Sequence, residues 1–160
     1  MSQQARSILD ISMLATAAIA YGRAVQVAAT TTAGAIGGVQ ATAIGQKVIG
    51  IARRDAGLGA YTDVTVLGTA VCEAGAAIAV GARVQCDASG RVITATALAV
   101  TIGTLGVGAG GTPVTSTAGN GAILTGAPAI TGGDTPLYVF GTALQAAGAA
   151  GDLIEVLISN

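Results

Sequence analysis

Two nine-residue stretches of the 160-residue chain decide its fold: residues 18–26 read AIAYGRAVQ and residues 77–85 read AIAVGARVQ. Six of the nine positions are identical. A second pair of matches follows in the same order, VIGIA at residues 48–52 and VFGTA at residues 139–143. Because ordered matches of this kind are typical of internal repeats, the sequence predicts that one structural unit occurs twice.

The third match is an apolar segment led by an aspartate, Asp63 in the first half and Asp152 in the second. We place repeat one at 18–72 and repeat two at 73–160. In repeat one, the second match starts 22 residues after the last residue of the first match. In repeat two, the same spacing is 54 residues. Repeat two therefore carries an insertion of 32 residues, which we place within the Gly/Thr-rich segment 96–136.

The local patterns favour strands. β-branched residues flank the segment 86–90, CDASG, whose Asp, Ser and Gly are typical of a hairpin turn. The final segment alternates in part, with Ile154 and Val156 on one face and Glu155 on the other. The predicted strands cover residues 18–28, 46–53, 62–72, 77–86, 91–95, 137–144 and 152–158.

These observations predict an all-β protein with a compact β-barrel-like or sandwich-like domain built from two duplicated units. The domain is expected at 18–160. Residues 1–17 are expected to form an N-terminal arm, either a short helix or an extended segment, because they are not needed to complete either copy. The apolar residues of this arm would reach a neighbouring subunit or another surface.

The composition limits the size of the core. Hydrophobic residues make up 52% of the chain, but alanine is the commonest of them, with one Phe, three Tyr and no Trp. Since small side chains bury little area each, such a core is thin and gains from burial against a partner. The net charge of −1 leaves no basic patch for nucleic acid. We therefore expect self-association and no nucleic-acid partner.

No membrane span is expected. Residues 92–133 carry no charge, but Pro113, Pro128 and many glycines interrupt them, which favours short strands and turns. The start of the chain, residues 1–20, has features of a signal peptide ending in a small-x-small site. Asp10 at the edge of its apolar stretch argues against that interpretation.

The chain contains no histidine. This excludes His-dependent triads and His-metal sites, and we predict no enzyme activity, no catalytic, cofactor-binding or metal-binding residues, and no cofactor. Cys72 and Cys86 are too few for a disulfide framework or a structural zinc site. Three interpretations of them stay open: buried apolar residues, a disulfide between paired strands, or a reactive thiol.

Three other motifs have structural explanations. Residues 106–111 fit GxGxxG, but no helix start follows, so nucleotide binding is not expected. The cluster 53–55, RRD, is either a solvated turn, an intersubunit salt bridge or an anchor to an acidic surface. Asp63 and Asp152 hold matching places in the two repeats, which favours a turn or strand-cap role over an acid/base pair.

Two stretches resemble the small capsid cement, or decoration, proteins of tailed bacteriophages. They are GAAIAVGARVQCDASGRVITA at 75–95 and VFGTALQAAGAAGDLIEVLI at 139–158, and the first half matches the same pattern more loosely. The resemblance implies a virion protein made in the bacterial host cytoplasm. It implies binding, as an oligomer and often a trimer, to the major capsid protein on the outside of the expanded head. The alternative is a secreted or surface-displayed adhesion module that binds through the insertion 96–136.

Overall fold

The computed structural model describes residues 5–28, 34–96 and 138–159. They belong to one compact unit of the chain, residues 1–96 with 135–160. The described residues contain nine strands and no helix, which confirms the all-β prediction. Accordingly, no helix in these ranges could cross a membrane. The strands are β1 (Ser7–Ala15), β2 (Ala24–Val27), β3 (Gly37–Gln40), β4 (Gly50–Ala52), β5 (Tyr61–Glu73), β6 (Arg83–Cys86), β7 (Val92–Thr94), β8 (Gly141–Ala143) and β9 (Leu153–Ile158).

The nine strands form one continuous sheet in the order β1-β3-β2-β4-β5-β9-β8-β6-β7. A further antiparallel pairing of β1 with β5 closes the first five strands into a ring, which we call the first barrel. The first barrel is completed by the parallel pairing of β1 with β3. Closing a sheet on itself removes the exposed edges that strands otherwise present to solvent.

The second barrel is built in the same way from β5, β9, β8, β6 and β7. A parallel bridge between Ala74, just after β5, and Val92 of β7 closes it. The 13-residue strand β5 therefore serves both barrels. Its first part pairs with β1 and β4, and the part from Gly68 to Glu73 pairs with β9.

The same backbone pairings recur in both barrels. Ile19 bridges Ala56 in the first barrel, and Ile78 bridges Ala147 in the second. Ile19 and Ile78 hold the same position in the two matching nonapeptides, 18–26 and 77–85. Further corresponding pairs are Ala24–Ile51 with Arg83–Thr142, Val25–Gly50 with Val84–Gly141, and Gln26–Val39 with Gln85–Ile93. The recurrence supports the predicted duplication, and we call such residues counterparts.

The expected arm at 1–17 requires correction. Residues 7–15 form β1, which closes the first barrel, and its Met13 and Ala15 are buried. The counterpart of β1 is the second part of β5, since Ala15 and Ala74 make the same parallel bridge with β3 and β7. Each barrel therefore begins earlier than the repeat limits 18–72 and 73–160, and the second begins inside β5. Burial alternates along this segment, because Met13 and Ala15 are buried whereas Ser12 is exposed and Leu14 is half-buried, which is strand periodicity.

Each barrel has its own core of small side chains. Seven buried core residues of the first barrel have seven buried counterparts in the second. The first set is Met13, Ala15, Ile19, Val25, Ala52, Ala56 and Val64, and the second is Cys72, Ala74, Ile78, Val84, Ala143, Ala147 and Val156. Phe140 is the largest fully buried side chain. The thin core expected from composition is thus divided between two barrels.

Two strand details differ from expectation. β3 was not predicted, because its Gly37-Gly38 start is typical of a turn and not of a strand.

Glu155, not Asp152, is the counterpart of Asp63. The N–H of Leu144 donates to the carbonyl of Glu155, as the N–H of Arg53 donates to the carbonyl of Asp63. Asp152 instead accepts hydrogen bonds from the N–H groups of Gly148 and Ala149, which is the predicted turn role.

Candidate binding surface

Most of the charged residues in the described ranges are used in internal contacts. Arg53 donates to the carboxylate of Asp10 at 2.6 Å. Arg54 lies 3.3 Å from the carboxylate of Asp63. Asp55 accepts a hydrogen bond from the backbone N–H of Tyr21. The RRD cluster therefore fixes its own turn to β1, β5 and the loop before β2. No group of three or more Cys, Asp or Glu residues in the described ranges is placed to hold a metal ion.

Asp10 lies where β1 meets β5. Partial burial acts to raise the pKa of Asp10, but hydrogen bonds from Thr65, Ser7 and Arg53 outweigh it and hold the pKa below its ordinary value. The hydroxyl of Thr65 donates to one carboxylate oxygen at 2.8 Å, and Arg53 donates to the other. Asp10 is thus a structural anion that fastens β1 to the barrel.

The two cysteines are free and buried, so they form no disulfide with each other. Burial raises the pKa of both thiols, which opposes thiolate formation. Cys72 lies in the core of the second barrel. The thiol of Cys86 lies 3.5 Å from the carbonyl oxygen of Ala43 and 3.6 Å from that of Gln46. Of the three interpretations left open by the sequence, the structure supports buried apolar residues.

One concave feature of the described residues is a groove of about 660 Å³. It lies between the end of β2 and the two segments that lead into β4 and β8. Those two segments are counterparts of one another. The groove is lined by Gln26, Val27, Lys47, Val48, Ile49, Tyr138, Val139 and Phe140. Most of these side chains are apolar, and Lys47 lies 6.0 Å from the ring centre of Tyr138.

The groove opens because the β2–β4 ladder ends. The N–H of Ile49 donates to the carbonyl of Val25 at 2.7 Å, beyond the last paired residues of the ladder, Val25 and Gly50. In an antiparallel ladder, alternate residues direct their backbone groups to opposite sides. The backbone groups of Val27, two residues further on, therefore face the groove. The Val27 side chain is 52% exposed.

A second exposed apolar surface, the β1–β5 patch, consists of Ile8, Leu9, Leu67 and Leu157. Leu9 lies directly opposite Leu67 in the β1–β5 pairing. Leu157 pairs with Thr69, so it is the diagonal neighbour of Leu67 across β5 and β9. Ile8 is 75% exposed, and the three leucines are also exposed. Such contiguous apolar surface is typical of an interface.

Comparison with known proteins identifies the family to which the chain belongs. Residues 2–110 match the family model of the phage cement protein. The chain belongs to the phage cement protein family. This match includes β1, and it confirms the resemblance noted in the sequence. No curated protein matches the chain.

The fold also occurs in a solved structure. The chain is similar to the N base of the head fiber gp8.5 of bacteriophage phi29, with a TM-score of 0.58 and 18% identity. The match covers 94% of this chain and 93% of the other. At this identity the similarity shows a shared fold. Membership of the cement family gives the chain a structural role at the phage capsid.

The sequence and the structure point to different kinds of functional feature. No catalytic or ligand residue was predicted, and the described residues present two exposed apolar features, the groove and the β1–β5 patch. The exposure of Ile8 and Leu9 was anticipated, although Met13 of the same segment is buried. The groove was missed because it depends on where a ladder ends. The one available signal was Val27, which replaces Cys86 at the counterpart position.

Proposed function

We propose that this cement protein binds the outer surface of the expanded phage head as a homo-oligomer, most simply a trimer, and stabilises the shell of major capsid protein. The observation that carries the proposal is the family match over residues 2–110, which includes the whole first barrel. The likeness to a head fiber base supports placement on the outside of a head. Synthesis in the bacterial host cytoplasm is part of the same proposal.

The mechanism is linkage between binding and shell conformation. A ligand that binds one state of a two-state assembly shifts the equilibrium toward that state. The protein would bind only the expanded lattice, and each occupied site would then oppose its collapse or rupture. The requirement is a rigid domain with exposed apolar surface, and both the groove and the β1–β5 patch supply such surface.

We assign the β1–β5 patch to contacts between copies of the chain. Each apolar side chain that becomes fully buried contributes about 1.5–3 kcal/mol before the costs of association are subtracted. Four residues form the patch, and each subunit of an oligomer presents it once. Asp10, the residue after Leu9, is already paired with Arg53.

The surface-displayed adhesion module, with the phage head as the surface that displays it, is a second proposal, favoured by the likeness to a head fiber base. In that case the insertion, residues 96–136, recognises a host surface or a glycan. Apart from Thr96, the insertion lies outside the described residues. A deletion of residues 97–134 separates the two proposals: a cement role leaves head binding intact, whereas an adhesion role loses cell or glycan binding.

The direct test uses heads assembled without the protein. Purified protein is added to expanded and unexpanded heads, and binding is measured by co-sedimentation. Saturable binding to expanded heads alone, together with a higher temperature of DNA release, is expected. Failure to bind expanded heads, or equal binding to unexpanded heads, contradicts the proposal.

A further inference from the structure

The two barrels differ at one pair of counterpart positions. In the second barrel, the carbonyl of Cys86 accepts a hydrogen bond from the N–H of Gly45 at 2.9 Å. The carbonyl of Gly45 accepts one from the N–H of Tyr138 at 3.1 Å. Gly45 therefore bridges the two segments at the point where the ladder between them has ended. The loop 42–46 supplies this bridge from the first half of the chain.

The loop that carries Gly45 is held in a defined shape. The side-chain oxygen of Gln46 accepts hydrogen bonds from the N–H groups of Thr42 and Ala43, at 2.8 and 3.0 Å. Gly45 adopts a positive φ of 65°, a conformation that favours glycine. The loop also covers the Cys86 thiol, which is fully buried.

The same place in the first barrel has no such bridge among the described residues. Val27 is the counterpart of Cys86, and Lys47 is the counterpart of Tyr138. The carbonyl of Val27 faces the groove, and within the described part of the chain neither it nor the N–H of Lys47 has a hydrogen-bond partner. The difference is also visible in burial, because Cys86 is buried whereas Val27 is 52% exposed.

We infer that the groove receives a loop of the major capsid protein, which bridges the Val27 carbonyl and the Lys47 N–H through its own main chain as Gly45 bridges Cys86 and Tyr138. This inference rests on the proposed function for the identity of the partner. The recognised feature is a protein backbone with a glycine or other small residue at the bridging position. Apolar neighbours in the incoming loop would pack against Val27, Val48 and Val139.

The physical reasons favour a backbone partner over a small ligand. Unpaired peptide groups next to apolar walls are costly to bury unless they find hydrogen bonds. A main-chain segment supplies a donor and an acceptor one residue apart, which is how strand addition to a sheet edge gains affinity. The groove volume of about 660 Å³ suits a few residues of chain.

Two pairs of variants test the inference. Lys47→Pro removes the N–H donor, while Lys47→Ala keeps it and removes the same charge. Val27→Asp places a charge in the groove, while Leu58→Asp places one at a residue 78% exposed elsewhere. Circular dichroism and thermal melting establish that each variant is folded. If Lys47→Pro does not fold, the Val27→Asp pair and the exchange measurement below carry the test.

Affinity for expanded heads is measured by co-sedimentation. Because the loss of one hydrogen bond costs about 1 kcal/mol and unpaired burial costs more, Lys47→Pro and Val27→Asp should weaken binding about tenfold or more. Leu58→Asp should stay within about twofold of the wild type, and Lys47→Ala should bind more tightly than Lys47→Pro because it keeps the N–H donor. Hydrogen exchange should show that head binding protects the Lys47 amide.

Three outcomes overturn the inference. If the wild type binds heads but every variant binds equally and the Lys47 amide stays unprotected, the groove is not used, while the proposed function stands. If Val27→Asp or Lys47→Pro reduces self-association and leaves head binding unchanged, the occupant is a second copy of the chain. If the wild type does not bind heads at all, the proposed function fails, and the inference falls with it.

Discussion

Leu9 of β1 lies directly opposite Leu67 of β5, and both side chains are about half exposed, at 51% and 43%. Two large apolar residues facing each other on the outside of a closed barrel stabilise little within the chain. They are better explained as part of a contact with another molecule. The pair is also the point at which the strand that closes the first barrel reaches the strand shared with the second.

The first prediction concerns self-association through this pair. Leu67→Asp should leave the domain folded and weaken oligomer formation by about tenfold or more, because a charge is buried in an apolar contact. Sedimentation velocity over a range of concentrations measures the effect. The thermal midpoint of the wild type should rise with concentration, and that of the variant should not. Leu58→Asp is the matched control. A wild-type monomer at all concentrations contradicts the assignment.

The second prediction concerns β1. Met13→Ala should lower the free energy of unfolding by about 2–5 kcal/mol, as expected for a fully buried side chain. Ser12→Ala, at an exposed position of the same strand outside the β1–β5 patch, should change it by less than about 0.5 kcal/mol. Urea unfolding followed by circular dichroism gives both values. Equal, small effects would mean that β1 is an arm outside the domain after all.

The third prediction concerns two counterpart glycines. A Cβ added at Gly50 would overlap the carbonyl of Thr65, and one at Gly141 would overlap the carbonyl of Leu157. Each substitution to alanine should therefore destabilise the protein by about 1–3 kcal/mol or more, since the backbone must shift. Gly57→Ala is the control, because nothing lies within 4 Å of a Cβ there. Thermal unfolding of the three variants checks the order. A neutral Gly141→Ala would show that the two barrels are not built alike.

The fourth prediction concerns pH. The pKa of Asp10 is held below its ordinary value of 3.8 in the folded protein. Stability from this group is therefore fully present above that value and is lost as the pH falls through the lower, folded pKa. Asp10→Asn should reduce stability near neutral pH, and the difference from the wild type should shrink below pH 3.8. Urea titrations across this range measure it. A difference that does not depend on pH would exclude the carboxylate as the cause.

Much of the fold was predictable because local sequence patterns determine it. The nonapeptides at 18–26 and 77–85 aligned the residues that make corresponding bridges in the two barrels, and each of the seven predicted strand regions contains an observed strand. The hairpin turn was predictable from Asp87, whose carboxylate accepts hydrogen bonds from the N–H groups of Ser89 and Arg91.

The remainder depends on contacts between distant residues. β1 was assigned to an arm because it precedes the visible repeat, and only its pairing with β5 reveals that the second copy reuses part of β5 in its place. β3 depends on Gly37 and Gly38, which have no strand preference of their own. The groove is determined by a loop near Gly45 that fills one barrel and not the other.

The strand β5, which the two barrels share, determines how the domain unfolds under mechanical stress. Since one continuous 13-residue strand supplies its first part to one barrel and its second part to the other, disruption of either barrel loosens the strand on which the other depends. Partial unfolding is therefore expensive, and the domain should lose its structure in one cooperative transition. A shell that expands abruptly and then carries sustained internal pressure would be clamped by a part with no weak intermediate state. The resistance of the clamp to pressure would then be set by the rate of one rare event, the cooperative unfolding of the whole domain.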